Sequence, residues 1–158
     1  IIRQLKIAIQ NEYMLREMGF ENARQCLGYR LIVKNIERTG DHAVLISKDL
    51  LEFKESVRKD AMDKIEDLND FAISVLDQAC LALFKEDFAQ AEKAIEKALE
   101  LSKYEKKIIE SVKAIKDEEE AYRIRRMAEN IARIAEYASA IAEIVLNMNV
   151  EKLLRKRP

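Results

Sequence analysis

The stretch "RLIVKNIERTGDHAVLI", Arg30 to Ile46, returns 95 residues later as "RRMAENIARIAEYASAI", Arg125 to Ile141. Identical pairs are Arg30/Arg125, Asn35/Asn130, Ile36/Ile131, Arg38/Arg133, Ala43/Ala138 and Ile46/Ile141. An echo at one fixed offset marks an internal repeat. In the later copy and its flanks, Ile124, Met127, Ile131, Ile134, Ala138, Ile141, Val145 and Met148 alternate steps of three and four. That alternation lines one face of a helix, so each copy reads as a long helix with a buried seam.

Outward from the repeat, Ala61, Ile65, Leu68, Ala72, Val75 and Ala79 form a second seam of the same kind, and Ala94, Ala98, Leu101, Ile108, Val112 and Ile115 a third. Three glycines and a single proline, Pro158, leave little to break helices, while Ala, Leu, Ile, Glu and Lys dominate. The chain is all-α. Gly19 suits a helix C′ position and Asn22 with Gln25 an N-terminal cap. Further breaks fall near Lys54 to Ser56, Glu86-Asp87 and Lys116-Asp117, which places helices at 1–18, 21–53, 57–85, 87–114 and 117–149. These helices pack as an antiparallel bundle of two three-helix repeats. Residues 1–54 are a partial first repeat that lacks its first helix, expected upstream of Ile1, and 55–158 are the second.

The 158 residues carry 28 basic and 29 acidic side chains, so no net field would hold the chain to nucleic acid or an anionic membrane. Direct nucleic-acid binding by this segment and membrane insertion are not expected. The most apolar run, Tyr137 to Val150, is shorter than a spanning helix and contains Glu143. Cys26 and Cys80 lie far apart and His42 is the one histidine, which argues against a disulfide framework or a Cys/His zinc site and suits a reducing cytoplasm. Charged residues at 36%, rich in Lys and Glu and with no Trp, lean towards a thermophile source. No Gly-rich phosphate loop, Ser/His/Asp set, H-E-x-x-H or E-x-x-H is present, so no enzyme is expected.

Glu37 and Asp41 sit one turn apart beside an apolar stripe centred near Ile36. Acid pairs at this spacing occur six times in the chain, about the number expected by chance from its composition. Charge pairing with Arg30, Lys34 and Lys48 accounts for the residue types. Two carboxylates on one turn can also face a cation, with ligands from neighbouring helices completing the shell. Glu136, equivalent to Asp41 in the repeat, and Glu105, in a core slot of the fourth helix, are the candidates. His42 reads as polar surface, and Gly28 and Gly40 as places of close helix approach or backbone access.

The run "ERTGDHAVLISKDL", Glu37 to Leu50, resembles the signature E-R-[I/T]-[A/G]-D-H-A of PhoU-family phosphate-uptake regulators. "ARIAEYASAIAEIV", Ala132 to Val145, is a degenerate second copy in which Ala132 replaces the glutamate and Glu136 stands for the aspartate. The resemblance implies two three-helix repeats and iron or zinc held by the E-x-x-x-D motif, here Glu37, Asp41 and, in the second copy, Glu136. It also implies a homodimer acting on a phosphate transporter ATPase or its sensor kinase, and in archaeal relatives an AbrB-like DNA-binding domain upstream. From other classes, the alternatives are a metal-storing or redox carboxylate bundle and a structural interaction module without ligand.

Overall fold

The computed structural model describes residues 2–53 and 59–155. Seven helices appear among them: α1 Ile2–Ala8, α2 Glu12–Glu17, α3 Ala23–Leu51, α4 Lys59–Lys85, α5 Phe88–Ala98, α6 Leu101–Val112 and α7 Glu118–Arg155. The fold is an all-α bundle, as the periodicity predicts. The break expected at Lys54 to Ser56, and with it the 54/55 repeat boundary, lies outside the described residues.

Two expected helices are each split. The first breaks at Asn11, whose side chain accepts from the backbone N–H of Tyr13 (2.9 Å) and Met14 (3.4 Å) and so starts α2. The fourth breaks between α5 and α6, where backbone bonds tighten to the i→i+3 pattern: Leu99 N to Glu96 O, 3.2 Å, and Glu100 N to Lys97 O, 2.9 Å. No glycine or proline marks that turn, so sequence alone is silent there.

Other ends follow the sequence closely. Gly19 takes φ +80°, its N–H bonds Arg16 O (2.9 Å), and Phe20 N–H bonds Leu15 O (2.9 Å). This is a Schellman ending, and Phe20 packs against the small cluster that contains Leu15. Asn22 Oδ1 accepts from Gln25 N (2.9 Å) and Gln25 Oε1 from Glu21 N (2.7 Å), which opens α3.

α7 is the spine of the molecule: α4, α5 and α6 pack on it from one side and α3 from another. The whole predicted α4 seam, from Ala61 to Ala79, is buried, and so is the α7 seam except half-buried Met148. A smaller core of Leu5, Leu15 and Cys26, with Ile9 and Phe20 against it, joins α1 and α2 to the start of α3.

α3 turns a different face inward from the one expected. Ile36 is half exposed. The side towards α7 runs Gly28, Ile32, Asn35, Thr39, His42, Ile46 and Asp49, each buried or half-buried. Four of those seven side chains are polar, so a hydrophobicity pattern misplaces the stripe by about a quarter turn.

Candidate functional site

The α3–α7 contact is where the sequence repeat meets itself. Its helices run antiparallel, so Gly28 faces Met148 at one end and Glu52 faces Arg123 at the other. A Cβ built on Gly28 would overlap the Met148 thioether. Gly28 is thus the close approach foreseen in the sequence. Gly40 is not, because a Cβ there would meet nothing within 4 Å.

In the middle of the contact, Asn130 donates from Nδ2 to the carbonyl of Arg126 (2.8 Å). Its Oδ1 therefore faces His42 Nδ1, at 2.7 Å, as an acceptor, and His42 carries a proton on Nδ1. The His42 ring packs against Tyr137, centroids 5.6 Å apart, and the Arg38 guanidinium lies 5.7 Å from the same Tyr137 ring. His42 is a half-buried link between the helices rather than free polar surface. It also stands 95 positions before Tyr137, so equivalent residues of the two copies touch, as they do when copies pack around a local two-fold axis.

Towards the C-terminal end of α3, Asp49 is buried and held by Arg126, whose Nε reaches Oδ2 at 3.1 Å while Nη2 reaches Oδ1. The Arg126 guanidinium lies 5.5 Å from the Tyr122 ring centroid. Glu52 accepts from Arg123, which also donates to Glu119 at 2.6 Å. The hydrogen bonds it donates to Glu119 and Glu52 raise the Arg123 guanidinium above its ordinary range. This ladder locks two helices at a fixed register and keeps its carboxylates occupied by cations.

The predicted metal ligands are not brought together. Glu37 is exposed and paired with Lys34 (3.1 Å), and Asp41 is exposed. Glu136 pairs with Arg133 (2.6 Å) and pushes that guanidinium up. Glu105 is half-buried on α6. Glu37 lies on α3 roughly opposite the seam that faces α7, which carries Glu136, so helix geometry keeps these carboxylates apart. Among the described residues no three His, Cys, Asp or Glu side chains gather as a metal ion would need. The donor set within one chain does not fit an iron or zinc centre. What sequence reasoning missed was the polar seam itself: Asn130, Tyr137, Asp49 and Arg126. The Asn35/Asn130 identity in the repeat was its one visible signal.

Among the described residues no helix is long and apolar enough to cross a membrane. Compared with known proteins, residues 65–145 match the model of the PhoU domain family. No curated protein and no solved structure matches the chain. The matched span runs from within α4 to within α7 and leaves out Glu37 to Leu50, where the motif stood closest to the family signature. It contains an uninterrupted up-down-up run of packed helices, with α5 and α6 together as the middle leg. A family model that matches just over half of the chain, on an all-helical fold, means that the chain belongs to the PhoU family.

Proposed function

We propose that the chain is a non-catalytic regulator of phosphate uptake, a helical adaptor that acts in the cytoplasm as a homodimer on the ATPase of a phosphate transporter or on the sensor kinase of phosphate signalling. The observation that carries this reading is the PhoU domain match across residues 65–145. Its two-repeat division, 1–54 and 55–158, belongs to the same proposal. The identities at an offset of 95 and the meeting of His42 with Tyr137 support it. The direct test is affinity capture with the tagged full chain from phosphate-replete cells. Enrichment of the transporter ATPase or the sensor kinase is expected, and enrichment of neither would leave a structural module without ligand.

Metal enters this reading only as a surface ion, iron or zinc, held by Glu37 and Asp41 one turn apart, with water or a second protein supplying the remaining ligands. Elemental analysis of protein purified without chelator, beside Glu37→Ala/Asp41→Ala, decides it. Equal metal in the two removes the ion from the reading.

A further inference from the structure

Along the middle leg of the bundle, the side turned away from the core carries Leu99, Ser102, Lys106, Ile109, Lys113 and Lys116, at alternating steps of three and four. On α6 this stripe lies about 140° around the helix from Ile108, Ser111 and Val112, which are buried. All six residues are exposed, Leu99 at 78% and Ile109 at 53%. Their exposure follows from packing within the run α4 to α7, whose three legs meet one another through other sides. Nearby, Lys103 is held by Glu100 (3.1 Å) and Lys107 lies 5.3 Å from the Tyr104 ring. Lys106, Lys113 and Lys116 pair with no carboxylate among the described residues. That holds although Glu110 stands one helical turn from both Lys106 and Lys113.

We propose that this stripe docks an amphipathic helix of a partner protein, one that interleaves carboxylates with aliphatic residues at the same three-four spacing. The order of residues selects that occupant. Lysines and aliphatics alternate along one line, so a surface that covers Leu99 and Ile109 also covers Lys106 and Lys113. Acyl chains offer a lysine no partner, and helices that lie in a membrane keep their lysines on the polar face. A second copy of the chain fits no better, because two such stripes set together in either direction gather six lysines and no carboxylate. With Asp or Glu opposite the lysines, the aliphatics lose water while each ammonium gains a partner. Lysines inside a helix seam fix register and partner in this way.

The surface rests on the adaptor reading above, and its test separates the two. With the tagged full chain in phosphate-replete cells, Lys106→Glu/Lys113→Glu, and independently Ile109→Asp, should lower the recovered transporter ATPase or sensor kinase at least about tenfold. Lys106→Arg/Lys113→Arg, which keeps the charge, should recover as much as the unaltered chain. Helical circular dichroism should not move in any of these variants, because the substituted side chains are exposed. Vesicles of phosphatidylglycerol should not bind the purified chain. Capture that both Lys106→Glu/Lys113→Glu and Ile109→Asp leave intact overturns the surface and spares the adaptor. Capture of neither protein by the unaltered chain overturns both. Vesicle binding that Lys106→Glu/Lys113→Glu abolishes overturns the protein partner in favour of an anionic membrane.

Discussion

Two glycines on one helix separate backbone propensity from packing. Gly28 and Gly40 both lie inside α3, and alanine gains about 1 kcal/mol of helix propensity at either. Only at Gly28 does the new methyl collide, with the flexible Met148 side chain, and overpacking of that kind costs about 1–3 kcal/mol. Gly28→Ala should therefore be less stable than Gly40→Ala by more than about 1 kcal/mol, read by urea unfolding at concentrations where the chain is monomeric. Equal midpoints would mean that α3 and α7 are not in close contact there. His42 makes a second claim at this scale. Its Nδ1–H tautomer is set by the Asn130 amide, itself held by the Arg126 carbonyl. Nitrogen NMR of the single histidine should show the protonated nitrogen at Nδ1 at neutral or higher pH, and the opposite tautomer would reverse the hydrogen-bond direction assigned here. His42→Ala leaves Asn130 Oδ1 without its donor and should cost about 1–2 kcal/mol.

Between elements, the α3–α7 pair is held by groups that hydropathy does not reveal. Asp49 is 1% exposed, and its Arg126 partner is 40% exposed at the side chain. Removing the cation strands a buried carboxylate, a loss of about 3–5 kcal/mol in a dry site, and water reaching the Arg126 side lowers it to about 2–3 kcal/mol. Arg126→Met should show that loss in thermal unfolding, whereas Asp49→Leu/Arg126→Met should recover most of it because no charge is then left behind. If the double variant is as weak as the single one, the pair is not what joins the helices. The same pair explains why the α3 stripe was misread. Asn35, Thr39, His42 and Asp49 occupy inward positions of a three-four alternation, yet each is polar, and two of them are matched by partners 77 and 88 residues away. Periodicity finds an apolar seam and passes over a polar one.

At the scale of the whole molecule, the thiols couple stability to pH. Burial raises Cys26 in the small core, and burial followed by the Asp77 charge raises Cys80 on α4. The folded chain keeps both protons where the unfolded chain, titrating near about 8.5, would release them. The stabilisation is complete below that pH and is lost as the pH climbs through the raised folded values. Urea midpoints should thus fall more steeply between pH 7.5 and 10 for the native chain than for Cys26→Ala/Cys80→Ala. Parallel slopes would show that the thiols are as accessible folded as unfolded. The same burial makes both cysteines slow to alkylate at neutral pH.

Much of this architecture is local in origin and was legible from residues alone. The seams of α4 and α7, the Schellman turn at Gly19 and the cap at Asn22 each depend on spacing within a few residues, which the sequence states directly. The all-α fold and the family signature come from the same source. Tertiary structure decided the rest. It chose the face of α3 that turns inward, set His42 against Asn130 and Tyr137, and kept Glu136 on α7 apart from Glu37 and Asp41 on α3. The physical reason is that a polar side chain can occupy an interior position only when a distant partner satisfies it, and a carboxylate pair becomes a site only when another element delivers the missing ligands. Neither condition is written in the spacing of one helix.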